Sequence, residues 1–215
     1  MNKELTELEL QKLKERLKEE FSDYSEIAGG KNYRYIHLET THKLVCKLVD
    51  SLDADVDRKV LEISALYHDI GRTKDIEDGE MDPFEGHEGH AEQGAEIVEE
   101  YISDFVTEKQ LKKIQEVIRN HHSKASTTEG KIVQDADIVE NFGVSNLWRQ
   151  VHYAAQNEVE LYESLEYFWN DAVPQFEDHI EKMHFEEARK LARKRLKKHK
   201  DAVRQIEKEF KAEDL

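Results

Sequence analysis

Apolar positions along this chain recur at offsets of three and four, the spacing that gathers one stripe on an α-helix. Leu5, Leu8, Leu13, Leu17 and Phe21 form such a stripe, which predicts an amphipathic helix over residues 2–22. Thr6 and Glu9 have the spacing of a capping box at its start, and Ala28-Gly29-Gly30 ends the unit. A second helix is predicted from Arg34 to about Ser51, and a third from Asp55 to Ile70, stopped by Gly71. Residues 72–86 are polar and contain Gly79, Pro83 and Gly86, so they read as a loop. It exceeds the usual connection of about 4–6 residues, which makes it a candidate substrate loop. Helices follow at about Glu88–Ile102 and Glu108–His121, then a second loop at 123–130 and helices at 131–142 and 145–170. Pro174 reads as the break before a last long helix over 177–211.

No segment carries the alternating pattern of a strand, and no internal repeat stands out. The expectation is an all-α, compact helical bundle with a long C-terminal helix, in one domain spanning 1–215. That helix places Phe185, Ala192 and Ile206 in one heptad row and Leu196, Val203 and Phe210 in another. Such a stripe is expected to cap its own core, and it is also compatible with a homodimer.

Composition narrows the classes of partner. Charged residues make up 37%, and only two prolines and nine glycines punctuate the 215 residues, a balance that suits long solvated helices. A formal net charge of −16 leaves no broad basic surface for a nucleic-acid polymer, but it does not exclude a small phosphorylated ligand in a pocket. The single cysteine, Cys46, rules out an internal disulfide framework and fits a reducing compartment. No stretch approaches the roughly 18 uninterrupted apolar residues that span a bilayer, and the first residues lack a signal-peptide run. A cytoplasmic protein is expected.

The histidines change the picture more than the composition does. His68-Asp69 closes the apolar run Ile-Ser-Ala-Leu-Tyr, and Ile70-Gly71 supplies a helix end at which both side chains can reach one centre. A buried Asp needs a partner, and a metal is one of few that satisfies it. His37 shares a face with Thr41, Leu44, Val45, Leu48 and Val49, and His90 shares one with Gly94, Ile97, Val98 and Tyr101. His121 extends the stripe Leu111, Ile114, Val117 and Ile118, and Asp137 lies among Val133, Ile138 and Val139. His42 is expected at the edge of its helix or in solvent, and His122 rotated off the stripe. One inward histidine is most often a core residue; several on separate helices argue for a shared metal. Imidazoles and carboxylates suit Mn, Fe, Co, Ni or Zn, with Mg less favoured.

In this order the motifs Arg34-Tyr-Ile-His37, Ala65-Leu-Tyr-His68-Asp69-Ile-Gly71, His90-Ala-Glu-Gln-Gly94-Ala95, Val117-Ile-Arg-Asn-His121 and Ala136-Asp137-Ile138 resemble those of the HD-domain superfamily of metal-dependent phosphohydrolases. The resemblance covers about 33–142, with helix 2–22 and helices 145–211 expected to pack on that core. It implies His37, His68, Asp69 and Asp137 as the ligands of one metal, and His90 and His121 as additional ligands where two are held. His42, His87, His122 and Asp135 are neighbours that compete for these roles.

The resemblance further implies hydrolysis of a nucleotide or another small phosphorylated metabolite through a water activated by one or two divalent ions. Asp69 is the natural bridging ligand and orients that water; with a single ion, His90 and His121 would contact phosphate or serve as acid and base. Arg34, Arg72, Lys74, His87 and Lys124 are near enough in sequence to contact phosphate oxygens. Trp148, Tyr153, Tyr167, Phe168 and Trp169 would either line a base pocket or, more commonly for aromatics, sit in the core. Two rival readings are a di-iron oxygenase on the same fold and a nucleotide-binding sensor without turnover.

Overall fold

A computed structural model describes residues 4–22, 25–26, 28–74 and 89–214 in full, and residues 75–77 as backbone. Helix α1 runs Glu7–Glu20, and both hydrogen bonds of the Thr6/Glu9 capping box are made. Its buried row is Leu13, Leu17 and Phe21, with Leu10 packed partly against the core. Leu8, five residues from Leu13, falls outside that row and is exposed. A two-residue hairpin follows, β1 Ser25–Glu26 against β2 Gly30–Lys31; no strand was expected here. Gly30 holds φ at +79°, a backbone region open to glycine at little cost.

Helices α2 (Tyr33–Ser51) and α3 (Arg58–Tyr67) carry the centre of the molecule. From Lys59 to Tyr67 every residue of α3 except Glu62 is buried, as expected of a helix surrounded by others. Helix α2 packs on α3 and α7, while α3 also meets α6. One apolar cluster joins Leu44, Leu48 and Leu61 to Val133, Ala136 and Leu196. Another joins Leu13, Leu17 and Leu38 to Ile63, Leu66, Val98 and Ile114.

The predicted loop over 72–86 is partly helical: α4 covers Arg72–Glu77. Arg-Thr-Lys-Asp-Ile-Glu holds no glycine or proline to stop a helix before Gly79. The rest of that loop, and His87 just after it, lie outside the described residues. Helices α5 (His90–Ile102) and α6 (Glu108–Arg119) pack together, and α7 (Thr128–Glu140) begins three residues earlier than predicted because Thr127 caps it.

The C-terminal third departs most from expectation. The predicted helix 145–170 is divided into α8 (Asn146–Gln156) and α9 (Leu161–Tyr167). Pro174 does not break the chain: a π-helical turn, Phe168–Ala172, leads from α9 straight into α10 (Val173–Lys182), and Pro174 sits in the first turn of α10. The break falls instead at Met183–Phe185, before α11 (Glu186–Phe210). Asp135 accepts the backbone N–H groups of His184 (2.9 Å) and Phe185 (2.8 Å), so α7 caps the start of α11. Ala192, Leu196 and Val203 of α11 are buried in the chain's own core, while Phe210 is exposed. No helix among the described residues is long and apolar enough to cross a membrane.

Candidate metal centre

Five parts of the fold deliver the candidate ligands: α2 brings His37, the turn after α3 brings His68 and Asp69, α5 brings His90, the turn after α6 brings His121, and α7 brings Asp137. The turn can approach α5 only because Gly71 and Gly94 lack side chains. A Cβ on Gly71 would lie 2.0 Å from the carbonyl oxygen of His90, and one on Gly94 would lie 3.1 Å from the Gly71 nitrogen.

Asp69 sits at the middle with its two oxygens facing different ways. Its Oδ1 is 3.3 Å from Nε2 of both His90 and His121. Its Oδ2 is 3.6 Å from His37 Nε2 and 3.8 Å from His68 Nε2. Asp137 Oδ1 joins the second group, 3.3 Å from His37 Nε2 and 3.6 Å from His68 Nε2. The two groups, His37-His68-Asp69 and Asp69-His90-His121-His122, each bring their ligand atoms within 4.8 Å of one another.

The imidazoles are aimed by partners behind them. His68 Nδ1 donates to the Ala65 carbonyl at 2.9 Å, and His121 Nδ1 to the Ile118 carbonyl at 2.6 Å. A carbonyl only accepts, so each ring carries its proton on Nδ1 and turns the Nε2 lone pair inward. His37 Nδ1 is 2.9 Å from Glu140 Oε2, the carboxylate-imidazole pairing that raises ligand basicity in metal sites. The Nε2 atoms then face one another across 3.2 Å (His37 and His68) and 3.4 Å (His90 and His121). Two ligands about 2.0–2.1 Å from a shared ion are separated by about 2.9–3.4 Å. Asp69 Oδ1 is buried and makes no hydrogen bond. A cation satisfies the inward lone pairs and this oxygen together, and the residues present fit one.

The charges are strongly coupled. Burial would raise the pKa of Asp69, but the Arg34 guanidinium, followed by His68, holds it well below the usual carboxylate range. Burial also opposes the charged form of His68, yet Asp69 and Asp137 outweigh it and hold its pKa up at about 9.

The candidate phosphate ligands are placed unevenly. Arg34 is buried, its guanidinium against Asp69 Oδ2 and against both Glu26 oxygens at 2.7 and 2.9 Å. Arg72 Nε lies 3.8 Å from Asp69 Oδ2. Lys74 is half-buried and Lys124 exposed. Trp148, Tyr153 and Tyr167 are exposed, whereas Phe168 is buried and Trp169 half-buried, so the aromatic group is not one core set.

Three residues escaped the periodicity argument. His122 turns its Nε2 to 3.1 Å from His90 Nε2; α6 ends at Arg119, so a helical wheel does not apply to it. Glu140 lies three residues after Asp137 on α7, a same-face spacing that could have singled it out. His42 is buried and not at an edge, because α2 is covered on more than one flank. Asp135, by contrast, serves the α11 cap and leaves the centre to Asp137.

An all-helical core encloses a buried, shared carboxylate ringed by inward imidazoles, a group that could hold a metal ion. The HD domain family model matches residues 34–141, and the chain belongs to the HD-domain family. Among solved structures it is similar to an HD-superfamily hydrolase from Bacillus thuringiensis (21% identity over 95% of this chain and 98% of that one, TM-score 0.65). It is also similar to Bacillus subtilis YpgQ in complex with ADP (19%, 91% and 97%, TM-score 0.63). A third is a predicted HD-superfamily hydrolase from an uncultured Thermotogales bacterium (22%, 95% and 92%, TM-score 0.58). At these identities the likeness is one of fold. A search of curated proteins found no match.

Proposed function

We propose that the chain is a metal-dependent phosphohydrolase acting on a nucleotide or similar small phosphorylated metabolite. The observation that carries this reading is Asp69, whose two oxygens face two separate sets of imidazoles. His37, His68, Asp69 and Asp137 would hold one divalent ion, and Asp69, His90 and His121 a second, with His122 at the rim. When bound, such ions supply Lewis acidity and lower the pKa of a water toward about 7.

The protein's own residues do the rest. Asp69 is ionised, so it accepts a proton or a hydrogen bond rather than donating one, and Arg34 keeps it so. Glu140, Ala65 and Ile118 lock three imidazoles in place, so the centre need not reorganise as charge develops on phosphate. Arg72, buried beside Asp69, is positioned for a phosphate oxygen, and a compact positive centre draws an anion despite the acidic surface. The ADP complex of the YpgQ structure supports the choice of a nucleotide.

The test is release of phosphate or pyrophosphate across a panel of nucleoside mono-, di- and triphosphates, with Mn, Co, Ni, Fe, Zn and Mg supplied in turn. Turnover with at least one nucleotide that disappears on chelation is expected. Tight nucleotide binding without turnover under any of these ions would instead indicate a sensor.

A further inference from the structure

A second group of metal-type ligands lies outside this centre. His42 and Cys46 stand one turn apart on α2, and Glu62 meets them from α3. Cys46 Sγ is 3.8 Å from His42 Nε2, Glu62 Oε2 is 3.3 Å from the same nitrogen, and the three ligand atoms all fall within 4.8 Å of one another. His42 is 5% exposed, and its Nδ1 makes no hydrogen bond.

The geometry separates two uses of such residues. A thiol-imidazole-carboxylate relay needs the nucleophile on one ring nitrogen and the carboxylate on the other. Here both partners approach Nε2, so they surround a common point.

We propose that His42, Cys46 and Glu62 form a mononuclear zinc site separate from the HD centre, with its fourth position open to water. Zinc bonds of about 2.3 Å to sulfur and about 2.0–2.2 Å to nitrogen and oxygen, set tetrahedrally, separate S from N by about 3.6 Å and N from O by about 3.4 Å. The observed 3.8 and 3.3 Å need little adjustment. Charge balances as well: thiolate and carboxylate together neutralise the ion, which suits a half-buried position. On binding, the S–H bond breaks, an S–Zn bond forms, and one proton leaves to solvent. The soft thiolate selects zinc over the harder ions that an N/O centre accepts. Cys46 and Glu62 are both partly exposed, which gives the ion a way in. Once there, it would clamp α2 to α3, the elements that present His37 and His68.

The full chain, stripped of metal and titrated with Co²⁺, tests this directly. Cys46 is the protein's one thiol, so a near-ultraviolet thiolate-to-cobalt charge-transfer band reports this site and not the HD centre. The band is expected in the wild type, absent in Cys46→Ser, and retained in Asp69→Ala. Zn²⁺ is expected to slow alkylation of Cys46 by about tenfold or more, with that protection lost in His42→Ala and Glu62→Gln. Glu62→Gln preserves side-chain shape, so it remains informative if the other variants fold poorly. No band at saturating Co²⁺, unchanged alkylation with Zn²⁺, or protection surviving both His42→Ala and Glu62→Gln would overturn the assignment. Each result is independent of whether the HD centre hydrolyses anything.

Discussion

At the scale of single residues, the centre depends on side chains that cannot be replaced one for another. Asp69→Ala removes the one carboxylate, among the described residues, that reaches both imidazole groups. It is expected to abolish bound metal and hydrolysis while the far-ultraviolet helical spectrum persists; an active, metal-replete variant would end the proposal. Glu140→Gln is milder. It keeps a hydrogen bond to His37 but loses the negative charge, and metal affinity should fall by about 10–100-fold in a Mn²⁺ titration. His37, His90 and Asp137 were legible because an inward position on a helix leaves a periodic trace, and His68, Asp69 and His121 because each follows directly on an apolar helical run. Glu140 left the same trace but touches the centre only through His37. His122 left none, because its backbone is no longer helical.

At the scale of elements, two contacts decide how the pieces meet. In Gly71→Ala the added methyl collides with backbone of α5, not with a flexible side chain, so the turn and α5 must separate. A loss of about 1–3 kcal/mol or more in urea unfolding is expected, with weaker metal binding alongside. The start of α1 is tied to α3 by Glu9, which caps Thr6 and pairs with the buried Lys59 at 2.9 Å. The Thr6 backbone N–H, and after it Lys59, pull the Glu9 carboxyl from 4.5 down to about 2. Because the folded value is the lower one, this contribution is complete above about pH 4.5 and drains away as pH falls toward 2. The melting-temperature gap between wild type and Glu9→Gln should therefore be present at pH 7 and narrow steadily below pH 4.5. Helix existence was readable from apolar spacing and, for α1, from the Thr6 cap; the Thr127 cap was not read, and α7 starts earlier than predicted. The course of 157–185 was not, because a π-helical turn absorbs Pro174 and because Asp135, from a distant helix, stops the chain at 183–185.

At the scale of the whole molecule, the candidate ligands begin at residue 37 and end at residue 137, so an ion held by them would join segments that the unfolded chain holds far apart. Binding to the folded state alone stabilises it by about 2.7 kcal/mol at a hundredfold excess over Kd. Mn²⁺ or Zn²⁺ should raise the melting temperature and a chelator should reverse the rise; a melting temperature indifferent to metal would count against the centre. The opposed oxygens of Asp69 carry one more consequence. A carboxylate gripped on one side has its orientation and charge fixed for the other, so neither half can load as though its neighbour were absent. Calorimetric titration should thus depart from two identical independent steps, and reciprocity requires that whatever the first equivalent does to the second, the second does in equal measure to the first.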